Sequence, residues 1–426
     1  MKKSILCVSF FLFLGFCSSA QTWLWGAQGY TVQDVEGWPV AADNNGNAFL
    51  AGYYRDSIAF GAYSLTTTTS NVNCYLAKYD SSGNVQWAKQ ANSTSAFCMN
   101  TAVAADLFGN SYISGQFNGI ISFDTDTLTT APGQYDYFFV KYDIKGNVLW
   151  AQQASAAQGN SIASDNSGNI YVTGQFSGTP TFGNTTLNNN TNGDAFIVKY
   201  NTKGSAVWAK QSFSGTVSGS VVGNSVAVDV QRNVFITGSF HNTISFGTYV
   251  LTGTSQYNVF IVKYDSSGNV LWAEQSSSGN VSNNYVGYSI VADSYDDSYI
   301  TGIFQGQISF GNYNLNSPNG DAFLVKYDPN GKVIWAKQSS GGVAGYSLAI
   351  DKFNNLYFSG GTDSLVTFCN HTFSIKSSYI SDASLLMKID TGGNALCGII
   401  SAGGGGMIEM ESPVLLMESA FILAEI

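Results

Sequence analysis

The residue types best suited to acid–base or nucleophilic chemistry are scarce in this sequence. Its 426 residues contain two histidines, His241 and His371. Neither lies in a G-x-S-x-G, H-E-x-x-H or P-loop motif. A catalytic histidine needs an orienting partner at hydrogen-bond distance, whereas each of these two occupies one place in a column of unlike residues. We therefore expect no catalytic residues and no enzyme activity.

Aspartate-rich turns offer oxygen ligands for a metal ion. The stretches D-N-N-G-N at 43–47, D-N-S-G-N at 165–169 and D-S-S-G-N at 265–269 superficially resemble calcium loops. They lack the downstream bidentate acid of an EF-hand. Asp at the first position and Gly at the fourth are also what a tight turn favours. The pattern predicts structural turns, with calcium as the alternative, and we expect no metal and no cofactor.

One polar position changes its side chain along the chain while its neighbours recur. It lies three residues after a recurrent glycine and before a recurrent phenylalanine. The members of this polar column are Arg55, Asn118, Ser177, His241, Gln305 and Asp363. On loops that open on one face, they would form a ring of unlike groups suited to binding an asymmetric partner. Neutral drift on an exposed loop is the alternative.

Three short stretches resemble the D-[S/T]-aliphatic acceptor of bacterial O-glycosylation. They are D-S-I at 56–58, D-T-L at 126–128 and D-S-L at 363–365. The pattern makes Ser57, Thr127 and Ser364 candidate modification sites. Such a short pattern also arises by chance in a chain rich in Ser and Thr.

An internal repeat sets the positions of all these residues. DAFIVKYNTKGSAVWAKQ at 194–211 recurs at 73–90, 137–153, 259–275 and 321–338, and in degraded form at 382–400. Alternating apolar residues on both sides of a D-x-x-G turn favour a β-hairpin over a helix. The turn glycine is kept in every copy, as Gly83, Gly146, Gly204, Gly268, Gly331 and Gly393.

The tryptophan of the W-A-x-Q motif marks the length of the repeat. It falls at Trp25, Trp87, Trp150, Trp208, Trp272 and Trp335, with Cys397 in the next slot. The intervals of 62, 63, 58, 64, 63 and 62 residues indicate a repeat architecture. We expect these tryptophans in the core, so that Trp208→Ala would destabilise the fold by about 3–5 kcal/mol. Lining of a sugar-binding groove is the alternative.

A second hairpin precedes each copy, as in ASDNSGNIYVTG at 163–174. Small residues lead to an aspartate turn, an aromatic residue and a closing glycine. Small side chains suit a crowded place near a central axis. A short connector with a recurrent phenylalanine follows and is predicted to be extended. Each unit thus contributes two hairpins, or four main strands.

We predict an all-β fold, a β-propeller of four-stranded antiparallel blades. It has six recognisable repeats of about 62 residues and an incomplete seventh blade. Solenoid coils are usually shorter than this unit, and a separate sandwich of this size would have a marginal core. T-W-L-W-G-A-Q at 22–28 reads as the end of a hairpin, so strands from both chain ends are expected to close the ring.

These motifs resemble a known repeat. The alternation of S-x-A-x-D-x-x-G-N-x-Y-x-T-G with D-A-F-x-V-K-Y-D-x-x-G-N-x-x-W-A-x-Q is similar to the bacterial SBBP repeat, named after a seven-bladed β-propeller. The resemblance covers roughly residues 21–400. It implies an exported or surface-associated propeller, commonly without known catalysis, and supplies no catalytic motif.

The N-terminus reads as a secretory signal peptide over 1–20. Two lysines precede an apolar run, and S-S-A stands before Gln21, the expected first residue of the mature chain. The remainder is divided into a propeller domain, 21–400, and an irregular segment, 401–426, which a truncation or frameshift would explain. Four cysteines then remain, with three pairings possible. They are Cys74, Cys98, Cys369 and Cys397.

The net charge of the chain makes some classes of binding partner unfavourable. Removal of Lys2 and Lys3 changes the formal net charge from −10 to −12 (16 basic minus 28 acidic), which argues against nucleic acid or anionic lipid. No later apolar run is long enough to span a membrane. We expect an exported, monomeric, non-catalytic propeller that binds a protein or glycan or serves as a structural module. A glycan-active hydrolase or lyase, and a lectin with one site per blade, are the rivals.

Overall fold

A computed structural model describes the chain as β-strands joined by turns. The described residues are 6–10, 25–31, 35–67, 71–93, 97–188, 193–214, 220–253, 257–278, 285–362, 366–369, 371–373, 383–401 and 423–424. Every regular element among them is a strand. This is the outcome that the period-two alternation predicts.

Six antiparallel sheets in this part of the chain share the strand order of a propeller blade, first–second–third–fourth. We number these blades 1 to 6 in chain order. Their strands are Val35–Ala42, Ala48–Arg55, Val72–Tyr79 and Val85–Gln90 in blade 1; Cys98–Ala105, Ser111–Asn118, Tyr135–Tyr142 and Val148–Ser155 in blade 2; and Ala157–Ser164, Ile170–Phe176, Asp194–Tyr200 and Ala206–Gln211 in blade 3. They continue as Val221–Val228, Val234–Phe240, Asn258–Tyr264 and Val270–Gln275 in blade 4; Val286–Ala292, Ser298–Phe310, Tyr313–Tyr327 and Val333–Gln338 in blade 5; and Ala344–Ile350, Leu356–Thr362, Ala383–Ile389 and Ala395–Ser401 in blade 6. First strands of successive blades lie side by side, so the predicted all-β propeller fold is confirmed.

The connector between second and third strands is a short hairpin rather than a single extended segment. Its two strands are Ser57–Phe60 and Tyr63–Thr66, Ile120–Phe123 and Asp126–Thr129, Thr181–Phe182 and Thr185–Thr186, Thr243–Phe246 and Tyr249–Thr252, and Val366–Phe368 and His371–Phe373. In blade 5 the hairpin continues the second and third strands without a break. Residues that follow a fourth strand pair with the next connector, at Asn92–Ser93, Phe213–Ser214 and Ser277–Ser278.

Each described tryptophan side chain bonds its blade to the next. Trp150 is 9% exposed, and its indole N–H donates to the carbonyl of Thr202, in the third-to-fourth turn of blade 3, at 3.2 Å. A Cβ on Gly204 of that turn, which has a φ of +79°, would lie 2.8 Å from the Trp150 ring. The same bond joins Trp87 to Ile144, Trp208 to Ser266, Trp272 to Pro329 and Trp335 to Thr391. The core prediction holds for Trp87, Trp150 and Trp272, while Trp208 and Trp335 are half-buried.

The recurrent lysine of the third strand is buried. In blade 2 the Lys141 ammonium lies 5.0 Å from the centre of the Tyr112 ring and 3.8 Å from the Asp106 carboxylate. Burial lowers the pKa of Lys141, and the Asp106 charge opposes that shift. The same ring contact is made by Lys78, Lys199, Lys263, Lys326 and Lys388. In blades 2, 4, 5 and 6 the ammonium of this lysine also lies within 4 Å of an aspartate carboxylate.

Small residues on the first strands fit the narrow space between blades. A Cβ on Gly223 of blade 4 would lie 2.4 Å from the Thr173 hydroxyl of blade 3. The Ser161 hydroxyl accepts a bond from the backbone N–H of Val226 at 3.2 Å. Equivalent bonds run from Ile290 to Ser225 and from Leu348 to Ser289. Neighbouring blades are therefore closely packed along their first strands.

Each of the three predicted cysteine pairings has two disulfides, whereas the structure forms one among the described cysteines. A disulfide joins Cys74, in the third strand of blade 1, to Cys98, in the first strand of blade 2. Cys369 and Cys397 are both buried. Burial raises the pKa of the Cys369 thiol to about 12. This disulfide therefore connects two neighbouring blades.

Little of either chain end is described. The backbone of Trp25–Thr31 pairs with the blade 1 connector, just as Asn92–Ser93 pairs with the blade 2 connector. Trp25–Thr31 also pairs with Leu6–Phe10. Leu6–Phe10 pairs in turn with Leu423–Ala424. The rest of 1–20 and of 402–426 lies outside the described residues. The signal peptide, the domain limits and the seventh blade therefore stay predictions.

Candidate functional site on the loop face

The strand order gives the blades two unlike faces. The turn face carries the turns between first and second strands and between third and fourth strands. The loop face carries the connector hairpins and the segments that lead to the next first strand. Those segments range from one residue, Ala156, to the ten residues of 276–285. Since recognition surfaces usually lie on variable loops over a constant frame, the loop face is the candidate functional surface.

The carboxylates of the turn face are occupied by their own turns. Asp265 accepts bonds from the backbone N–H groups of Ser267 and Asn269 at 2.8 and 2.9 Å and from the Asn269 side chain at 2.8 Å. Burial would raise the pKa of Asp265, but these bonds outweigh it and lower the pKa. Within the described ranges, no group of three or more His, Cys, Asp or Glu residues is arranged to hold a metal ion. The predicted turns are therefore formed, and their own hydrogen bonds hold them.

An acid pair at the turn face departs from the repeat. Asp296 of blade 5 stands where most turns have glycine, with a φ of 71°. Its Oδ2 is 2.7 Å from the Lys263 ammonium, while its buried Oδ1 has no hydrogen-bond partner. Burial and the neighbouring Asp296 carboxyl raise the pKa of Asp229 to about 6. A proton on the Asp229 carboxyl would give the Asp296 Oδ1 the hydrogen-bond donor that it lacks. Asp229 is buried, so this pair is unsuited to act on a substrate.

This pair predicts a pH-dependent effect of Asp229→Asn. Because the folded-state pKa of Asp229 is raised to about 6, the folded protein holds a proton that the unfolded chain has already released. The stability contributed by this group therefore falls as pH rises from about 4 to about 6. Relative to wild type, Asp229→Asn should gain about 2 kcal/mol in free energy of unfolding between pH 4 and pH 7. Urea titrations across this range measure it.

Asp296→Asn is the companion variant, since Asn tolerates a positive φ and Asn354 occupies the same place in blade 6 with a φ of 65°. It removes the partner charge but leaves Asp229 buried, so it should show a smaller trend of the same sign. A difference between Asp229→Asn and wild type that is constant with pH would contradict the shared proton.

The described members of the polar column lie at the loop-face ends of the second strands. Arg55 and Asn118 end their strands, Ser177 and His241 directly follow theirs, and Gln305 lies within Ser298–Phe310. The next residue is left-handed in each case, with φ between 61° and 83°: Asp56, Gly119, Gly178, Asn242 and Gly306. This kink directs the chain from the second strand into the connector. Asp363 lies outside the described residues.

The structure places these side chains on one face but holds them apart. Ser177 is exposed, and the other four are half-buried. The His241 ring centre is 3.6 Å from that of Tyr257, and Gln305 donates to the Pro318 carbonyl at 3.1 Å. The Arg55 Nε and the Asn118 Oδ1 are buried without a hydrogen-bond partner. These contacts lie within single blades, so the column is a set of separate positions, and its role in binding stays a prediction.

A second varying column, which the sequence analysis missed, lies on the first strands, just on the loop-face side of their midpoints. Every first strand has a β-bulge at the same place. The bulged residues are Trp38–Pro39, Thr101, Asn160, Asn224, Tyr288 and Tyr346. A bulge leaves its residue out of the ladder and redirects its side chain. The sequence signal was the change of residue type before a recurrent serine, but the bulge itself leaves no pattern.

The candidate glycosylation sites occupy unlike positions. Ser57 begins the first strand of its connector and is half-buried. Thr127 lies in the second strand of its connector and is exposed, with its hydroxyl 3.0 Å from that of Ser122. Ser364 and the side chain of His371 are outside the described parts. Modification therefore stays a prediction.

Comparisons with known proteins bear on the family. Residues 150–175 match the family model described as SBBP, a beta-propeller repeat. An uncharacterized WD repeat-containing protein, L264 of Acanthamoeba polyphaga mimivirus, is 24% identical over an aligned length of 484 positions. The alignment covers 90% of this chain and 34% of that relative, so this chain spans about a third of its length. The repeat match confirms the resemblance predicted from the sequence.

Solved structures give distant likenesses. The Dos1 propeller is 9% identical with a TM-score of 0.43, covering 84% of this chain and 80% of that one. A gluconolactonase from Xanthomonas campestris is 9% identical with a TM-score of 0.34, covering 78% of this chain and 86% of that one. Among the described residues, no helix is long and apolar enough to cross a membrane.

Proposed function

Starting from a chain that carries the SBBP β-propeller repeat, we propose that this protein is an exported, non-catalytic propeller. It binds a protein or glycan partner through its loop face, at the cell surface or outside the cell. The observation that carries this proposal is the contrast between its two faces. The turn face repeats the same bonded turns in each blade, whereas the loop face presents unlike polar residues at equivalent places.

The polar column supports binding because its geometry is fixed while its chemistry varies. A left-handed residue follows each described member, so the backbone presents the five side chains in the same way. Arg55 and Asn118 are half-buried, so part of each polar side chain is open to a ligand. Polar groups in such a place can exchange bonds with water for bonds with a ligand. A framework column could not vary so widely without disturbing the packing.

Two further observations support export and a lack of catalysis. The Cys74–Cys98 disulfide is of the kind that forms in oxidising compartments, which agrees with the predicted signal peptide. Turn-face carboxylates such as Asp106 and Asp165 accept backbone and side-chain bonds within their own hairpins. A glycan-cleaving enzyme would need acids open to a substrate on one rim.

The test is alanine replacement of the whole polar column: Arg55, Asn118, Ser177, His241, Gln305 and Asp363. Capture of partners from surface extracts of the producing cells should fall at least tenfold relative to wild type, about 1.4 kcal/mol. The free energy of unfolding should stay within a few kcal/mol of wild type, because none of the five described side chains is fully buried and surface changes usually cost under about 0.5 kcal/mol each.

A matched control replaces exposed turn-face residues by alanine and should leave capture unchanged. Suitable positions are Ser82, Lys145, Lys203, Ser267 and Asn330. If the column variant folds and captures partners as well as wild type does, binding lies elsewhere. If it unfolds, the column belongs to the framework.

A further inference from the structure

Two bulged asparagines connect neighbouring first strands on the loop-face side of their midpoints. The amide nitrogen of Asn160 donates to the carbonyl of Gly223 at 3.1 Å, and that of Asn224 donates to Gly287 at 2.9 Å. Gly223 directly precedes Asn224, and Gly287 directly precedes Tyr288. Each asparagine therefore reaches the bulge of the following blade, and its Oδ1 acceptor is directed away from that bond.

The next two bulges carry tyrosine. Tyr288 is 37% exposed and Tyr346 is 58% exposed. Their ring centres lie 6.0 Å apart, and the ring planes are inclined by 56°. Burial and the nearby Tyr346 raise the pKa of Tyr288, so its hydroxyl stays protonated at neutral pH. Blades 3 to 6 thus present two amide oxygens followed by two accessible rings.

We propose that this arc, Asn160–Asn224–Tyr288–Tyr346, binds a neutral oligosaccharide. The inference rests on the proposed function and names a ligand class for the loop face. The C–H face of a pyranose ring is apolar and stacks on a tyrosine ring, whose hydroxyl remains able to bond. Sugar hydroxyls donate to the Asn160 and Asn224 amide oxygens. Small-ligand sites typically combine an aromatic surface with a small number of well-placed polar groups.

Charge and surroundings favour this class over others. The formal net charge of −10 disfavours an acidic glycan or a nucleic acid. A protein partner would usually insert an apolar anchor into a pocket. The residues next to the two tyrosines in sequence are instead Gly287, Ser289, Gly345 and Ser347. These small residues add no aliphatic side chain beside the rings.

The test is titration calorimetry of the full chain with cellohexaose, xylohexaose, mannohexaose, maltohexaose and an anionic hyaluronan hexasaccharide. Wild type should bind at least one neutral hexasaccharide and not the hyaluronan. Tyr346→Ala should weaken that binding by at least about tenfold, and Tyr346→Phe by under about threefold. Tyr295→Ala is the matched control, since Tyr295 is 71% exposed but lies on the turn face, and it should leave the affinity unchanged.

Each outcome decides the inference. Failure of wild type to bind any neutral hexasaccharide, or full affinity of Tyr346→Ala, overturns it. If no sugar binds but the polar-column variant still loses partner capture, the proposed function stands and the saccharide assignment fails. If Tyr346→Ala instead loses capture of a protein partner, the ligand of the arc is a protein and the saccharide assignment is wrong. Unchanged thermal midpoints for the tyrosine variants show that any loss is not unfolding.

Discussion

Trp150→Ala is expected to lower the free energy of unfolding by about 3–5 kcal/mol. The Trp150 ring is 9% exposed and packs edge-on against Phe139, with ring centres 5.3 Å apart. Its loss would leave a cavity between blades 2 and 3 and remove the indole bond to Thr202. Equilibrium unfolding in urea, followed by tryptophan-independent far-UV circular dichroism, measures the change.

Two controls separate the causes. Trp150→Phe keeps most of the packing but lacks the indole N–H, so it should cost less than the alanine variant, with about 1 kcal/mol from the lost bond. Leu149→Ala, at a neighbouring side chain that is 52% exposed, should change stability by under about 0.5 kcal/mol. If Trp150→Ala behaves like Leu149→Ala, the contact between blades contributes little.

Removal of the Cys74–Cys98 disulfide should cost about 3 kcal/mol. The two cysteines are 24 residues apart, and the bond restricts the unfolded chain over that loop. Both side chains are fully buried. Alanine is chosen for the paired replacement because it is small and apolar and leaves no polar group in the core. The expected result is a lower urea midpoint for the double variant than for oxidised wild type.

Reductant provides the internal control for this bond. Dithiothreitol should lower the midpoint of unfolding of wild type toward that of the Cys74→Ala/Cys98→Ala variant, and should leave the variant itself unchanged. A wild-type midpoint that does not respond once the thiols are shown to be reduced would argue that the disulfide contributes no stability.

The fold could be predicted because its signals are local and repeated. A D-x-x-G turn between alternating apolar runs specifies a hairpin within about 20 residues, and the 62-residue spacing of Trp25 and Trp87 specifies the repeat. Contacts between blades could not be predicted in the same way. The bond from Trp150 to Thr202 joins residues 52 positions apart. Only packing shows that the glycine of that turn also makes room for an indole.

The site was predicted less well. Alignment of the repeats finds the polar column, but it does not show that Arg55 and His241 are half-buried, because burial depends on the connector that follows. The bulged column was missed for a related reason. Tyr288 and Tyr346 are ordinary strand residues by composition. Their exposure follows from a bulge in each first strand, which is a property of pairing rather than of residue type.

The direction of the tryptophan bond has an evolutionary consequence. Each described indole donates to the blade that follows its own, and blades 2 to 5 each contain both a donating indole and an accepting turn. A stretch of gene that begins and ends at the same point of two repeats therefore contains one donor and one acceptor. Its duplication or loss leaves each remaining indole with a carbonyl to bond. Unequal crossing-over in whole repeats can thus change the number of blades without leaving a buried indole N–H group unbonded.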